Sequence, residues 1–398
     1  MKRIVAFILA FSGLTRAAEP FLDKQDLFIM GDNPAYSLYH IPGVVVTAKG
    51  TVLAWCEARK RAAGVSDWDD IRILLRRSTD DGKTWSAAKS IADIPGPKTK
   101  NPFAVKMKNV DPNDVTYNNP VLIASKNGIV HMLFCLEYER CFYQRSEDEG
   151  LSWSKPIELT ATFEAFKKAY AWKVLATGPN HSIELKTGRL LVPVWLSTGE
   201  GGNAHRPSVT ATIYSDDQGK TWNAGDIAVP CTDEWTNPNE TVAIELNDGR
   251  VMLNVRSESK AHRRLITTSP DGATQWCPPQ FDDALLEPIC MAGIVRYDHA
   301  GQRLILFSNP HNLEGGRGGQ PEPGKSRARK NLSIKLSRDE GSTWPVNKLL
   351  ENGPSMYSDL AVTPTGIILC FYGRGTQPGF AGSSLTLARF NLEWLTQP

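Results

Sequence analysis

The sequence predicts an all-β protein, a six-bladed β-propeller of four-stranded antiparallel sheets, from three observations. One phrase, S-x-D-x-G-x-[ST]-W, occurs four times, in residues 78–85, 146–153, 215–222 and 337–344. The phrase recurs with a near-constant period, which is typical of an array of identical structural units. Short apolar runs separated by Asp- and Gly-containing turns fill the chain, and long helical periodicity is nearly absent.

The spacing of the copies sets the size of each unit. Their first residues are Ser78, Ser146, Ser215 and Ser337, so the first two intervals are 68 and 69 residues and the last is 122. A damaged copy, residues 268–276, lies inside the long interval. About 380 residues remain after the amino-terminal segment, and blades of sixty-odd residues would therefore number about six.

Each copy of the phrase reads as a tight β-turn. Asp and Gly tolerate the left-handed backbone of such a turn, and we expect the Trp to fold back between neighbouring sheets. Apolar runs that precede the copies predict strands, and a longer run predicts a strand, an Asp-Gly turn and a second strand; these are residues 71–77, 209–214 and 332–336, and residues 242–255. Residues 163–174 are the one segment with a helical pattern.

Composition predicts a globular protein with ample core and excludes some functions. Of 398 residues, 41% are hydrophobic and the formal net charge is +2. A near-neutral balance argues against nucleic-acid binding, and we interpret the basic residues 325–330 as a solvated loop. The seven cysteines show no metal-ligand spacing and allow no disulfide assignment. No HExxH motif or phosphate-binding loop occurs, so we expect no cofactor and no catalytic metal.

The amino terminus has the pattern of a secretory signal. A basic start, an apolar run and small residues make residues 1–18 a predicted signal peptide, cleaved after Ala17 or Ala18. The run is shorter than the roughly 20 residues that a membrane helix needs. We therefore expect an exported protein, periplasmic or extracellular, without an integral membrane segment. No linker divides the repeats, so residues 19–398 are predicted to be a single propeller domain.

With its repeated phrase, the Asp-box, in this arrangement, the chain resembles the sialidase (neuraminidase) superfamily, whose fold is a six-bladed propeller. The Asp-box is specific for the fold. It says nothing about activity, since non-catalytic propellers also carry it, and function must be argued from the site.

Three positions match the catalytic residues of that family. Tyr357 lies in a Y-S-D-L segment late in the chain, where the resemblance implies a nucleophilic tyrosine. Glu240, in N-P-N-E-T-V, resembles the glutamate that accepts the tyrosine's proton. Asp67, eleven residues before Ser78, matches the acid/base aspartate. Each could instead be an ordinary strand or loop residue, but their joint presence in the right order favours a sugar site.

Three arginines complete the resemblance. Arg256, sixteen residues after Glu240, and Arg329, eight before Ser337, match the family's second and third carboxylate-binding arginines. Arg59, ahead of Asp67, fits a hydroxyl-binding arginine. A planar guanidinium suits a sugar carboxylate because it can bind both oxygens at once.

These residue types suit the chemistry that the resemblance implies. Sialic acid carries a carboxylate on its anomeric carbon, which would repel an anionic nucleophile. A neutral tyrosine activated by a glutamate avoids that repulsion, and sialidases are the tyrosine exception among glycosidases. An aspartate then protonates the leaving oxygen and later deprotonates water.

One departure from the family pattern concerns the substrate. The family's first carboxylate-binding arginine is replaced in this chain by His40. The family glutamate that holds that arginine in place is replaced by Gly373. A hydrogen bond to a charged group is worth about 1.5–3 kcal/mol, so the loss could weaken carboxylate binding tens-fold or more. His40 could donate one hydrogen bond, or two if protonated, and Arg374 could swing in. His181 could be a second pocket histidine, although a turn residue is the more ordinary interpretation.

Three hypotheses follow. The first is hydrolysis of sialosides, with a sialoglycoconjugate or related acidic glycan as the partner. The second keeps the mechanism and changes the sugar, as His40 and Gly373 suggest. The third is a secreted glycan-binding propeller without catalysis, against which the joint presence of Tyr357, Glu240 and Asp67 counts.

Overall fold

The structure is a computed structural model that describes residues 18–60, 66–106, 110–316, 321–375 and 384–397. Apart from Ala18, the predicted signal peptide lies outside these residues. None of the described helices is long and apolar enough to cross a membrane. The described residues are dominated by 25 β-strands in five hydrogen-bonded sheets.

The first two sheets follow one another along the chain and are built on the same plan. Sheet I consists of four antiparallel strands, Leu38–Val46, Val52–Arg59, Ile71–Ser78 and Lys89–Ser90. Sheet II consists of Tyr117–Ala124, Val130–Leu136, Arg140–Ser146, Ile157–Glu158 and the short parallel strand Asn180–His181. In each sheet the first strand along the chain, Leu38–Val46 or Tyr117–Ala124, is buried almost along its whole length. The two-residue strand Lys89–Ser90 or Ile157–Glu158 is exposed.

The next two sheets repeat this plan. Sheet III consists of Val174–Thr177, Ile183–Glu184, Leu190–Ser197, Ser208–Ser215 and Asn223–Val229. Sheet IV consists of Thr241–Glu245, Val251–Val255, Arg263–Ser269 and Gln280–Leu286. The predicted strand, turn and strand in residues 242–255 is confirmed by this pairing.

Sheet V is larger because one strand serves two sets of neighbours. It contains Gly293–His299, Gln302–Pro310, Lys330–Ser337, Val346–Val362, Ile368–Arg374, Ser384–Phe390 and Leu22–Ile29. The first half of the 17-residue strand Val346–Val362 pairs with Lys330–Ser337 and its second half with Ile368–Arg374. The amino-terminal strand Leu22–Ile29 pairs with Ser384–Phe390, so the two ends of the chain meet in one sheet.

Helices are few and short in the described residues. They are the α-helices Pro102–Val105, Thr160–Glu164 and Leu392–Thr396 and the 3₁₀ turns Ala165–Lys168 and Glu200–Gly202. The predicted helix over residues 163–174 was therefore wrong in its bounds. The helical turns begin at Thr160 and end at Lys168, because Val174 already pairs with Ser197 in sheet III.

The Asp-box phrases form the predicted turns. In the first, the Ser78 hydroxyl lies 2.7 Å from an Asp80 carboxylate oxygen and accepts the Gly82 N–H, and Asp80 accepts the Thr84 N–H. Asp81 and Gly82 both have positive φ, the left-handed geometry that Gly adopts at no steric cost. The other three copies repeat these bonds.

The Asp-box tryptophans join neighbouring sheets, as predicted. Trp153 packs against apolar residues of sheets I and II, and Trp222 contacts Tyr143 across sheets II and III. Trp276 of the damaged copy packs between sheets III and IV, Trp344 between IV and V, and Trp85 between V and I. Each sheet therefore has two neighbours, and the result is an all-β propeller arrangement of antiparallel sheets.

Candidate active site

Seven of the residues singled out in the sequence lie around one cavity of about 220 Å³. In sheet I they come from the first two strands and from the loop between the second and third strands. In sheet IV one residue precedes the first strand and the other follows the second, and the remaining residues come from sheet V or directly precede one of its strands. The lining residues that were predicted are His40, Arg59, Asp67, Glu240, Arg256, Arg329 and Tyr357. Segments up to 317 positions apart thus converge on a single hollow.

Irregular inner strands shape this cavity. In sheet I the pairing register shifts between His40 and Gly43, and Ile41 has a φ of 53°. A β-branched residue at positive φ is unfavourable, and such strain persists where the surrounding packing enforces it. Part of that packing is Trp55, whose ring would lie 2.2 Å from a Cβ on Gly43. The equivalent bulge in sheet II places Asn119, also at positive φ, in the cavity wall.

Tyr357 and Glu240 are in direct contact. The phenol oxygen lies 2.6 and 2.7 Å from the two Glu240 carboxylate oxygens. Arg256 donates a hydrogen bond of 2.6 Å from Nη1 to the same phenol oxygen, and it also forms an ion pair with Glu240. Tyr357 is 4% exposed and Glu240 is 8% exposed. The phenol therefore has a proton acceptor and a cation within hydrogen-bond distance.

The surroundings of the Tyr357 phenol favour its protonated form. Burial raises its pKa well above the ordinary value and the Glu240 charge adds to this, against the opposing effects of Arg256 and Arg329. The Arg329 guanidinium lies over the tyrosine ring, 5.3 Å from its centroid, and donates to the Ile289 carbonyl. The His40 ring lies 4.6 Å from the Tyr357 ring.

On the opposite wall, Asp67 is held by Arg59. The Arg59 Nη1 donates to a carboxylate oxygen of Asp67 at 2.9 Å, and the side chain of Asp67 is 38% exposed. Burial acts to raise the pKa of Asp67, but Arg59, with smaller contributions from His205 and His40, lowers it to about 2. Asp67 is therefore ionised in this structure at neutral pH.

Behind Arg59 stands Glu57, a fully buried acid that sequence reasoning missed. One of its carboxylate oxygens accepts from Arg59 Nε and Nη2, and the other accepts the Asn119 N–H at 2.8 Å. Burial raises the pKa of Glu57, although Arg59 and the Asn119 N–H oppose this. Glu57 and Asp67 thus hold the arginine from two sides. In the sequence Glu57 has no signal beyond its place two residues before Arg59.

His40 is neutral in this structure. It is 1% exposed, and burial together with Arg59 and Arg329 lowers its pKa well below the ordinary value. A neutral imidazole can donate only one hydrogen bond, so His40 cannot offer the two donors expected of a protonated histidine.

The space beside Gly373 is occupied by Met356. A Cβ on Gly373 would lie 2.4 Å from Met356 Cγ, so the site leaves no room for a glutamate side chain. Arg374, which could have swung into the cavity, instead forms an ion pair with Asp26, two strands away in sheet V, and the cavity lining does not include Arg374.

His181 does not line the cavity. Its Nδ1 lies 2.7 Å from an Asp359 carboxylate oxygen, and its backbone N–H is donated to the same side chain. Burial lowers the pKa of His181, but Asp359 outweighs it and the net shift is upward. We therefore interpret His181 as a structural link between sheets II and V.

Several cavity residues carried no recognisable sequence signal. His205 is surrounded by the rings of Trp68, Tyr138 and Trp195, at centroid distances of 5.8, 4.9 and 5.3 Å. The Trp195 Nε1, on a side chain 4% exposed, has no hydrogen-bond partner among the described residues. In a sequence, single aromatic residues in strands and loops look like ordinary core residues. Only the folded structure shows that these rings come together beside the cavity.

At the mouth of the cavity, two charged residues from different sheets pair. Arg206 follows sheet III's inner strands and Glu258 follows the second strand of sheet IV. Their ion pair includes a 2.6 Å bond from Arg206 Nε, and Asn237 also donates to Glu258.

Comparison with known proteins agrees with this architecture. A family model described as a BNR repeat-like domain matches residues 69–370. The sialidase of Micromonospora viridifaciens is 29% identical over 399 residues, which cover 95% of this chain and 55% of the relative. The sialidase of Bacteroides fragilis (strain YCH46) is 28% identical over 337 residues, which cover 80% of this chain and 56% of the relative. The chain therefore spans about half the length of these two curated relatives.

Solved structures share the fold at low identity. The Hadza microbial sialidase Hz136 aligns with a TM-score of 0.73 and 22% identity, over 94% of this chain and 69% of that chain. The intramolecular trans-sialidase from Ruminococcus gnavus, in complex with oseltamivir carboxylate, aligns with a TM-score of 0.71 and 18% identity, over 94% of this chain and 98% of that chain. Since the family model spans well over half of the sequence, the chain belongs to the BNR repeat-like family, within the sialidase superfamily.

Proposed function

We propose that the protein is an exo-acting retaining glycoside hydrolase of sialidase type, which releases terminal sialic acid or a related acidic sugar. The observation that carries this proposal is the phenol of Tyr357, buried in the cavity with Glu240 and Arg256 both 2.6 Å away. A purely structural tyrosine has no need of a buried carboxylate and a buried guanidinium on the same oxygen.

In the first step, the Tyr357 oxygen attacks the anomeric carbon and its proton passes to Glu240. Arg256, within hydrogen-bond distance of the oxygen, stabilises negative charge as the proton leaves. The bond to the leaving oxygen breaks, and Asp67 supplies that oxygen with a proton. In the second step Asp67 takes a proton from water, the water oxygen replaces Tyr357 on the carbon, and the phenol recovers its proton from Glu240.

The two roles of Asp67 require its charge to change during the cycle. A pKa of about 2 suits the base of the second step, because the carboxylate is then ionised at neutral pH. The acid of the first step needs the protonated form. Since the Asp67 side chain is 38% exposed here, we infer that a bound sugar covers it and raises its pKa by further burial.

Arg256 and Arg329 are the groups proposed to bind the acidic substituent of the sugar. Both guanidinium groups flank Tyr357, at 5.9 and 5.3 Å from its ring centroid. The Arg256 Nε is buried and has no hydrogen-bond partner among the described residues, which leaves it available to a carboxylate.

A second candidate keeps the mechanism and changes the sugar. It is favoured by the neutral His40 and by the Met356 side chain beside Gly373, which together remove one charged arm from the cavity. An acidic sugar that is bound by two arginines and a neutral imidazole would then be preferred over sialic acid.

The assay that tests the proposal uses 4-methylumbelliferyl glycosides of sialic acid, other acidic sugars and neutral sugars. We expect turnover of at least one acidic glycoside at neutral or slightly acidic pH and none of the neutral ones. The acidic sugar with the highest kcat/KM separates the two candidates. Binding without turnover, on this panel and on native glycans, would instead make the protein a non-catalytic glycan-binding propeller.

We predict that Glu57→Gln lowers kcat about tenfold and moves the basic limb of the kcat–pH profile to lower pH. The change removes a negative charge that offsets Arg59, so Arg59 lowers the pKa of Asp67 further. The protonated Asp67 that the first step needs then becomes rarer at a given pH. One pKa unit corresponds to about a factor of ten. The profile is measured over pH 4–8 on the best panel substrate.

Glu287→Gln provides a matched control. Glu287 is also fully buried, pairs with Arg264 and accepts the Cys290 N–H, but it does not line the cavity. We expect Glu287→Gln and Glu57→Gln to lower the free energy of unfolding by similar amounts. Only Glu57→Gln should displace the pH profile. Equal profiles for wild type and Glu57→Gln would contradict the role given to Glu57.

We also infer that the ring has six blades, that residues 19–398 form one domain and that the chain is exported. Support for six blades comes from Val346–Val362, since sheet V divides at the middle of this strand into two sets of four strands. Support for export is the signal-like pattern of residues 1–18.

A further inference from the structure

Two of the cysteines face each other on one rung of sheet II. Cys135 of strand Val130–Leu136 is the register partner of Cys141 of strand Arg140–Ser146. Both residues are 0% exposed. Within the described strands no other two cysteines are register partners.

The backbone bonds of Cys141 identify the kind of rung. Its N–H is donated to the Thr160 hydroxyl and its carbonyl accepts the Leu159 N–H, so both groups point away from Cys135. In an antiparallel sheet this makes Cys135 and Cys141 a non-hydrogen-bonded pair, in which the Cα atoms are about 4.5 Å apart and the side chains are closest. Disulfides accept Cα separations of about 4.4–6.8 Å, so a pair of this kind lies at the short end of the range that a disulfide allows.

The Cys135 thiol also acts on Cys141 electrostatically, as expected for register partners. Burial, followed by a hydrogen bond with the Cys135 thiol, raises the pKa of Cys141 well above its ordinary value. Apart from Cys141, the polar neighbour of Cys135 is the Thr177 hydroxyl at 3.8 Å. A buried thiol whose pKa is raised is a poor nucleophile, which argues against a catalytic or metal-binding role for Cys141.

We propose that Cys135 and Cys141 form a cross-strand disulfide in the exported protein. This rests on the export inferred above, since disulfides persist in oxidising compartments. Each sulfur loses one proton and one electron as the S–S bond forms, and the two electrons pass to the disulfide of a thiol–disulfide oxidoreductase, which is reduced to a dithiol. Because both thiols are buried in the folded chain, the bond forms while sheet II is assembling.

The disulfide would brace a strained hairpin that reaches the candidate active site. Between the two cysteines, Glu137 and Tyr138 have φ values of 56° and 51°. Tyr138 lines the cavity, and Glu137 is buried, where it accepts bonds from Lys100 and the Thr116 N–H. A covalent link at the base of this hairpin limits its opening and so holds Tyr138 in the cavity wall.

Peptide mapping tests the disulfide directly. The full chain, exported through its own signal, is denatured with iodoacetamide and no reductant and then digested with trypsin. Cleavage after Lys126, Arg140 and Arg145 separates the two cysteines into peptides 127–140 and 141–145. We expect these peptides to remain joined, with a mass two hydrogens below their sum, and to separate after reduction. Carbamidomethyl groups on both cysteines would overturn the proposal.

Two controls separate a specific bond from general oxidation. Cys56 and Cys370 are also fully buried, and both should carry carbamidomethyl groups in the same unreduced digest. Chain made in a reducing cytosol should melt about 4 °C below the exported chain. That difference should disappear in Cys135→Ser/Cys141→Ser and persist in Cys370→Ser. Neither mapping nor melting requires glycosidase activity, so the disulfide and the proposed function can fail separately.

Discussion

Tyr357→Phe is expected to lower kcat on the best panel substrate by on the order of 10³-fold or more, while the protein stays folded. The change removes only the phenol oxygen, which is the proposed nucleophile, and losing a nucleophile removes the covalent route. Glu240 and Arg256 form an ion pair of their own and therefore remain satisfied without the phenol. The measurements are kcat by fluorescence release and the unfolding midpoint in urea.

Tyr297→Phe is the matched control for this experiment. Tyr297 is as buried as Tyr357, at 4% exposed, but lies in the core of sheet V outside the cavity. We expect its kcat to match wild type. If Tyr357→Phe retained the same kcat as Tyr297→Phe, the assignment of the nucleophile would be wrong, and a mechanism in which Asp67 and Glu240 act on water would replace it.

His40→Arg is expected to destabilise the protein by about 3–5 kcal/mol, although it restores the residue type that the family resemblance places there. The position is 1% exposed. Three positive charges act on His40, from Arg59, Arg329 and Arg256, against the single opposing charge of Asp67, which already pairs with Arg59. A fourth cation would be buried without a carboxylate of its own, and an uncompensated buried charge costs about this much. Urea unfolding followed by tryptophan fluorescence measures the change.

Two further variants show whether the added charge causes the destabilisation expected in His40→Arg. His40→Gln keeps a neutral hydrogen-bonding side chain, and we expect it to cost much less than His40→Arg. A triple variant, His40→Arg with Gly373→Glu and Met356→Ala, supplies both the carboxylate and the space that Met356 now fills. It should recover part of the lost stability. An unchanged free energy of unfolding in His40→Arg would show that this pocket tolerates an arginine unaided.

How much of the fold could be predicted depends on how local its determinants are. The Asp-box turn is made by hydrogen bonds within seven residues, as between Ser78, Asp80 and Thr84, so the phrase alone predicts its geometry. The helix at residues 163–174 was wrong in its bounds because Val174 is claimed by a strand partner 23 positions away, Ser197. A local sequence pattern does not show which distant strand a residue will pair with.

The residues of the candidate site also divide into those that a local motif identifies and those that only the folded structure identifies. Motifs and their spacing along the chain are enough to single out Tyr357, Glu240 and Asp67, and the fold brings these three residues into one cavity. Glu57 escaped notice because a buried acid in an apolar strand is recognised only through its partners, Arg59 and the Asn119 N–H of the next sheet.

By itself, the sequence determined the repeated turn, the all-β class, the family resemblance and the order of the catalytic candidates, because each is recognised from short motifs and from their spacing along the chain. Only the tertiary structure decided that His40 is neutral, that Met356 fills the space beside Gly373 and that Cys135 faces Cys141. Burial and the nearest charges set a pKa, and strand register sets which thiols meet. These quantities exist only once distant segments have packed together.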